Sequence, residues 1–93
     1  MSADAAAPSP EARRVVLYGR SGCHLCDQAR EQLLAMREAG GGFELHEVDI
    51  DSDDALLASL LERIPVVEVD GRVVSELELD ADRVRLAVVP VSG

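Results

Sequence analysis

Hydrophobic and polar residues along this chain follow two different periodicities. The β-branched run at residues 15–18, which ends at Gly19, predicts a strand buried on both faces. From Cys23 to Ala39, apolar residues recur at helical spacing between charged ones, which predicts an amphipathic helix that ends at the glycines that follow. The apolar face of this helix contains Cys26, Ala29, Leu33 and Met36.

A second strand and a shorter helix are predicted next. The strand covers residues 43–50, and its apolar phase shifts between Leu45 and Val48, which predicts either a bulge or burial on both faces. The helix should run to about Glu62, because Pro65 prevents its continuation. Good N-terminal capping residues precede it, namely Asp51, Ser52 and Asp53.

The clearest local signal is a β-hairpin. Asp70 and Gly71 separate two β-branched runs, at residues 66–69 and 72–74. An Asp-Gly pair supplies the positive φ angles that a two-residue hairpin turn requires. These two strands are therefore predicted to be antiparallel.

A final helix completes the predicted fold. Asp80 precedes it as a cap, Pro90 lies just past its end, and one face carries Ala81, Val84 and Val88. The element order is therefore βαβαββα. The first βαβ unit requires parallel strands, and the hairpin adds two antiparallel strands to the same sheet. The predicted fold class is α/β, a mixed four-stranded sheet with three helices covering its two faces.

Length and composition limit the chain to one small domain. The chain has 93 residues, of which 47% are hydrophobic and 29% charged, which suits a compact fold better than a disordered chain. Residues 1–13 are rich in alanine, serine and proline, so we expect a disordered leader there and a domain at residues 14–90.

The charge balance excludes several classes of partner. The net charge is −9, so nucleic acid would be repelled, and the only aromatic residues are Tyr18 and Phe43. No segment approaches the roughly 20 apolar residues of a membrane span, and the N-terminus lacks the basic start of a secretory signal. We therefore expect a cytoplasmic monomer, in a reducing compartment where paired cysteines are more often catalytic or metal-binding than structural.

The candidate chemistry lies in Cys23 and Cys26, the only two cysteines of the chain. They follow a predicted buried strand and open a predicted helix. Unpaired backbone N–H groups at a helix N-terminus lower the pKa of a thiol there, which makes Cys23 the expected nucleophile. Cys26 lies one turn further along the helix, where it should be more buried but still within reach of a sulfur attached to Cys23.

Two basic residues flank the expected nucleophile. Arg20 and His24 are both placed to stabilise a thiolate at Cys23, although His24 does so only when protonated. The alternatives are a solvated loop arginine and a histidine oriented away from the sulfur. The sequence leaves both alternatives open.

The cysteine pair is also compatible with other roles. A structural zinc site generally takes four ligands, and only His24 and His46 could join the cysteines, so no mononuclear metal site is expected. A metal or iron–sulfur cluster shared between two copies of the chain is the alternative function. An inert pair of core cysteines is the third possibility, since free cysteine is common in protein interiors.

Together the motifs resemble a known family. The segment from Tyr18 to Cys26, the segment at residues 48–51, and Arg63 to Val67 before the Asp70-Gly71 turn look like the glutaredoxin-like branch of the thioredoxin superfamily. The resemblance covers residues 15–89. It implies a cis peptide bond before Pro65, beside the cysteine pair, and a substrate segment that pairs with the backbone of Ile64 by strand addition.

The chain also departs from that family pattern. His24 and Leu25 stand between the cysteines where glutaredoxins usually have proline and an aromatic residue, and residues 75–79 replace a Gly-Gly segment that holds the glutathione carboxylate. Glutathione is thus an open alternative and not the expected partner. The sequence predicts a thiol-disulfide oxidoreductase that needs no organic cofactor or metal, acts on a disulfide-containing protein or a small thiol, and takes electrons from a donor the sequence does not identify.

Overall fold

The computed structural model describes residues 13–40 and 42–88. A 3-10 turn at Ile50–Ser52 separates the second strand from the second helix. Within the described residues the strands and helices follow the predicted order βαβαββα. They are β1 (Arg13–Gly19), α1 (His24–Glu38), β2 (Phe43–Asp49), α2 (Asp54–Leu60), β3 (Val66–Val69), β4 (Arg72–Glu76) and α3 (Ala81–Val88).

The four strands form one mixed sheet in the order β2-β1-β3-β4. β1 is parallel to β2 and antiparallel to β3, and β3 is antiparallel to β4. Gly19 is paired with Asp49 on one side, and the preceding Tyr18 is paired with Val66 on the other. The last residues of β1 and β2 and the start of β3 therefore meet at one end of the sheet, where α1 begins.

The core has one layer on each face of the sheet, as predicted. Side chains of β1, β3, α1 and α3 form the larger layer, which includes Leu17, Leu33, Val67 and Val84. The smaller layer packs α2 and the 3-10 turn on the other face, through Ile50, Leu60 and Val66. Neighbours Val66 and Val67 lie in different layers because successive side chains of a strand point to opposite faces.

The predicted hairpin turn and two predicted helix caps are confirmed. Asp70 and Gly71 have φ angles of 51° and 86°. Asp53 caps α2 by accepting hydrogen bonds from the N–H groups of residues 55 and 56, and Asp80 accepts one from the N–H of Arg83 at the start of α3. These contacts link neighbours in sequence, so the residue types alone indicate them.

Several predicted boundaries are wrong. Arg13, which was assigned to the leader, is the first residue of β1, where its guanidinium binds Asp70. β2 ends at Asp49 because Ile50 turns into the smaller core layer, and α2 ends at Leu60, before a turn that leads to Pro65. Residues 1–12 of the predicted leader and residues 89–90 of the predicted domain lie outside the described residues.

A bulge was one of two explanations predicted for β2, but the structure has its bulge in the β3–β4 hairpin. β2 pairs with β1 without interruption from Phe43 to Asp49. The irregularity lies in the hairpin, where the register shifts between Val67 and Glu68, and β4 extends to Glu76 instead of ending at residue 74. The shift in the apolar positions of β2 therefore reflects partial burial of both faces of the strand, which was the other predicted explanation.

Candidate active site

The active-site turn places Cys23 directly before α1. Cys23 is the N-cap residue of the helix, and its Sγ accepts a hydrogen bond of 3.2 Å from the backbone N–H of Cys26. Its own N–H donates to the carbonyl of Arg20 at 3.3 Å, which closes the turn. Gly22 has a φ angle of 82°, a conformation that a side chain would strain. The sulfur therefore occupies the helix position where backbone N–H groups and the helix dipole favour a thiolate.

The two sulfurs are bonded to each other but differ in depth. Cys23 and Cys26 form a disulfide, with their Cα atoms 5.2 Å apart. Cys26 is only 6% exposed, whereas Cys23 is half-buried. The predicted difference in burial is confirmed, and Cys23 is the sulfur that a partner molecule can approach.

Gly19 makes room for the buried sulfur. A Cβ atom built at Gly19 would lie 3.0 Å from Cys26 Cβ and 3.1 Å from Cys26 Sγ. From its place in the sequence, Gly19 was predicted only to end a strand. Its position directly before the cysteine turn is the one signal in the sequence for this second role.

Arg20 is bound by Asp51, a contact that was not predicted from the sequence. Its guanidinium forms an ion pair with the carboxylate of Asp51, in which Nε donates a hydrogen bond of 3.3 Å to Oδ2 and Nη2 lies 3.1 Å from Oδ1. Asp51, which was expected to cap α2, lies in the 3-10 turn and is fixed there by a hydrogen bond from its N–H to Asp49. The structure therefore joins the active-site turn to the end of β2, and the effect of Arg20 on the thiolate stays a prediction.

His24 occupies the first position of α1 and is exposed. Its ring Nε2 lies 3.2 Å from Nε2 of Gln28, one helical turn further on. This contact directs the ring along the helix. The proposed electrostatic role of His24 toward Cys23 also stays a prediction.

Ile64 and Pro65 precede β3 at the same end of the sheet. The Ile64–Pro65 peptide bond is cis in this structure, the isomer implied by the family resemblance. Pro65 is fully buried, and Ile64 packs against the smaller core layer. The N–H of Ile64 donates to the carbonyl of Leu60 at 3.1 Å, so strand pairing with a substrate at Ile64 would have to use its carbonyl.

An ion pair ties the segment before Pro65 to the end of β4. Arg63 donates hydrogen bonds from Nε, at 3.0 Å, and from Nη2 to Oε2 of Glu76. The Arg63 hydrogen bond and charge lower the pKa of the Glu76 carboxyl, and the same contact raises the pKa of Arg63. The N–H of Leu77 adds a hydrogen bond of 2.9 Å to the carbonyl of Arg63.

A crevice reaches the buried cysteine from the side of β2. It has a volume of about 480 Å³, and its lining includes Gly19, Arg20, Cys26, Arg30, Glu47 and Asp49. Arg30 lies 3.5 Å from Asp27 and 3.8 Å from Glu47, so the charged groups of the crevice partly neutralise one another. The crevice borders the cysteine turn on its β2 side.

Within residues 13–40 and 42–88, no group of three or more His, Cys, Asp and Glu side chains converges to hold a metal ion. None of the helices in the same part of the chain is both long and apolar enough to cross a membrane.

Comparison with known proteins identifies relatives over most of the chain. The family model of the Glutaredoxin-like domain (DUF836) matches residues 14–88. Proteins of Mycobacterium tuberculosis and Mycobacterium bovis, both named as uncharacterized, are 35% identical over 77 residues, which covers 77% of this chain and 78% of each relative. The family match covers the cysteine turn as well as the sheet.

Solved structures share the fold. A protein of Nitrosomonas europaea, determined by NMR in solution, has a TM-score of 0.75 and 28% identity, and the match covers 89% of this chain and 99% of that one. A protein of X. campestris, determined by X-ray crystallography, has a TM-score of 0.62 and 40% identity, with 82% and 99% covered. A thioredoxin from Halobacterium salinarum, at 19% identity, has a TM-score of 0.61 with 86% and 74% covered, and shows the thioredoxin fold alone. With its family match, its fold and its Cys23–Cys26 pair, this chain belongs to the glutaredoxin-like domain family.

Proposed function

We propose that this protein is a thiol-disulfide oxidoreductase that uses Cys23 as nucleophile and Cys26 as resolving thiol. The observation that carries the proposal is the position of Cys23 Sγ at the N-cap of α1, where it accepts the N–H of Cys26 and is bonded to the more deeply buried sulfur. A thiolate at such a position is stabilised by the helix dipole and by unpaired N–H groups. The family match supports a redox role for the pair.

The reaction proceeds by two exchange steps in the reduced protein. The Cys23 thiolate attacks one sulfur of a substrate disulfide, which forms a mixed disulfide and releases the other substrate sulfur as a thiolate. Cys26 then loses its proton to solvent, and its thiolate attacks Cys23 Sγ. The second substrate sulfur leaves, and the Cys23–Cys26 disulfide forms. The protein has lost two electrons, and the substrate has gained them as two thiols.

The cycle closes when an external thiol or dithiol reduces the Cys23–Cys26 disulfide by the reverse exchange. We propose a disulfide-bearing protein or small thiol compound as the substrate, and a reducing, cytoplasmic environment for the cycle. Residues 75–79 replace the Gly-Gly segment that holds the glutathione carboxylate in glutaredoxins, and Glu76 of this segment is paired with Arg63. This replacement favours a partner other than glutathione.

Trapping the mixed disulfide tests the proposal. The Cys26→Ser variant is reduced, freed of reductant and mixed with a model peptide disulfide, and its products are analysed by intact mass spectrometry and peptide mapping. We expect one peptide bound to Cys23. The wild-type protein should instead release two thiols per peptide disulfide and gain the Cys23–Cys26 bond, and Cys23→Ser should trap nothing by this route.

Two results would contradict the proposal. The first is an unmodified Cys26→Ser variant together with wild-type protein that releases no thiol. The second is stoichiometric zinc or visible absorption in the purified protein, lost when either cysteine is replaced, which would favour a metal or cluster carrier.

A further inference from the structure

The second exchange step requires a buried thiol to lose its proton. Cys26 must become a thiolate before it attacks Cys23, because the thiolate is the nucleophile in disulfide exchange. Cys26 is only 6% exposed, and burial disfavours the charged form of a thiol. Of the two cysteines, only Cys26 lines the crevice beside β2. The crevice is therefore the side from which a proton acceptor can act on this sulfur.

The register of the sheet brings one carboxylate to this side of Cys26. A Cβ built at Gly19 would lie 3.1 Å from Cys26 Sγ, so the empty side-chain position of Gly19 points at the sulfur. Gly19 is paired with Asp49 of β2. Neighbouring strands lie about 4.8 Å apart, and residues paired across them place their side chains on the same face. Asp49 therefore projects from β2 next to Cys26 Sγ, and both residues line the crevice.

The turn after β2 fixes the position of the Asp49 carboxylate. Its Oδ1 accepts a hydrogen bond of 2.9 Å from the N–H of Asp51, and its backbone carbonyl accepts one of 2.6 Å from the hydroxyl of Ser52. Oδ2 receives no hydrogen bond from the described part of the chain. One oxygen of the carboxylate is thus held in place, while the other can accept a proton.

The other charged groups of the crevice are less well placed to act on Cys26. Glu47 and Asp27 lie 3.8 and 3.5 Å from the guanidinium of Arg30. Glu47 lies two residues before Asp49, which is about 7 Å along the strand, and the side chain of Asp27 is 57% exposed. Arg20, the remaining charged residue of the lining, is bound to the 3-10 turn. Asp49 is therefore the carboxylate nearest to the buried sulfur.

We propose that Asp49 is the general base that accepts the proton of Cys26 in the second exchange step. The proton passes from Cys26 Sγ to Oδ2 of Asp49 through one bridging water molecule, and the Cys26 thiolate attacks Cys23 Sγ. The bond between Cys23 and the substrate sulfur breaks, the Cys23–Cys26 disulfide forms, and the substrate sulfur leaves as a thiolate. Asp49 then releases the proton to solvent. The inference rests on the proposed function and adds a catalytic residue to it.

A chromogenic disulfide measures the two exchange steps separately. Reduced protein, in excess, is mixed rapidly with dithiodipyridine, an uncharged aromatic disulfide whose released thiol absorbs light. The first phase of release reports the attack by Cys23, and its rate increases with protein concentration. The second phase reports the attack by Cys26 on the mixed disulfide, which is an intramolecular step whose rate does not depend on protein concentration.

Asp49→Asn removes the proton acceptor and keeps the turn, because the amide oxygen of asparagine can still accept the N–H of Asp51. At neutral pH we expect the second phase to be about ten- to 100-fold slower, as for the loss of a general base. The first phase should change by less than about two-fold. Loss of the negative charge alone would have the opposite effect, because it would favour the Cys26 thiolate. At high pH, where hydroxide removes the proton, the variant and the wild type should converge.

Two further variants separate the base from its charge. Glu47→Gln is the matched control, because it removes the same charge from the same crevice and the same strand. Its second phase should not be slower than that of the wild type. Asp49→Glu restores a carboxylate at the proposed position, so its second phase should be faster than that of Asp49→Asn.

Two results would overturn the role of Asp49 while leaving the exchange chemistry intact. The first is a second phase that Asp49→Asn leaves unchanged at every pH. The second is equal slowing by Asp49→Asn and Glu47→Gln, which would assign the effect to the charge of the crevice. If the wild-type protein showed neither phase, the proposed function itself would fail, and the role of Asp49 with it.

Discussion

Gly19 lies so close to Cys26 that no side chain fits between them. A Cβ at Gly19 would come within 3.0 Å of Cys26 Cβ and 3.1 Å of its Sγ. Gly19 is paired in β1, and Cys26 is buried and bonded to Cys23, so neither residue can move freely. The strand before the cysteine turn therefore determines where the resolving sulfur can lie.

Gly19→Ala should destabilise the protein by about 1 to 3 kcal/mol, the usual cost of overpacking a core. It should also slow the release of product from the mixed disulfide, because Cys26 is displaced from Cys23. Chemical denaturation measures the first effect, and the lifetime of the mixed disulfide measures the second.

Gly42→Ala is the control, because it replaces a glycine by alanine at a position where the new Cβ meets no neighbour. A Cβ at Gly42 has no neighbour within 4 Å, so this variant should be neutral or more stable by up to about 1 kcal/mol. If Gly19→Ala and Gly42→Ala behave alike, the close approach to Cys26 has no energetic consequence.

In the reduced protein, Cys23 should be alkylated at least about ten-fold faster than Cys26 at neutral pH. The reason is its position at the helix N-terminus and its greater exposure. Timed labelling with iodoacetamide followed by peptide mapping measures both rates. Label that collects first on Cys26 would reverse the assigned roles.

Arg20→Gln should raise the thiol pKa of Cys23, because it removes a cation from the active-site turn. Asp51→Asn should lower this pKa, since it removes the negative charge of the carboxylate that binds Arg20. The pH dependence of alkylation measures both variants. An unchanged pKa in both would limit the Arg20–Asp51 pair to a structural role.

Asp70 should make part of the stability depend on pH. The N–H of Arg14 and the guanidinium of Arg13 lower the pKa of this carboxyl, so its charged form stabilises the fold above about pH 3.9, its ordinary unfolded value. That contribution is lost as the pH falls through the lower folded value.

We expect Asp70→Asn, which keeps the turn residue type, to lose less than about 1 kcal/mol at pH 7, because the pair is partly exposed. The difference from wild type should shrink as the pH falls below the ordinary pKa of the carboxyl. Unfolding curves at pH 7 and in acid measure it, with the exposed Glu62→Gln as a control for net charge. A difference that persists at low pH would assign the effect to the hydrogen bond alone.

The sequence determined the features that depend on neighbouring residues. Asp70-Gly71 specified the hairpin turn, Asp53 and Asp80 specified caps, and the apolar spacing of α1 specified its buried face. The position of Cys23 at the start of α1 follows from the same local rules. Backbone preferences and contacts three or four residues apart are enough to fix such features.

Tertiary structure decided which distant residues meet at the site. Asp51 was expected to cap a helix and instead binds Arg20, which lies 31 positions earlier in the chain. The bulge falls in the β3–β4 hairpin, and Arg13 joins β1 by pairing with Phe43 of β2, because strand pairing sets both. Such contacts depend on sheet register and on the packing of separate elements, and neither is encoded in the spacing of residues along the chain.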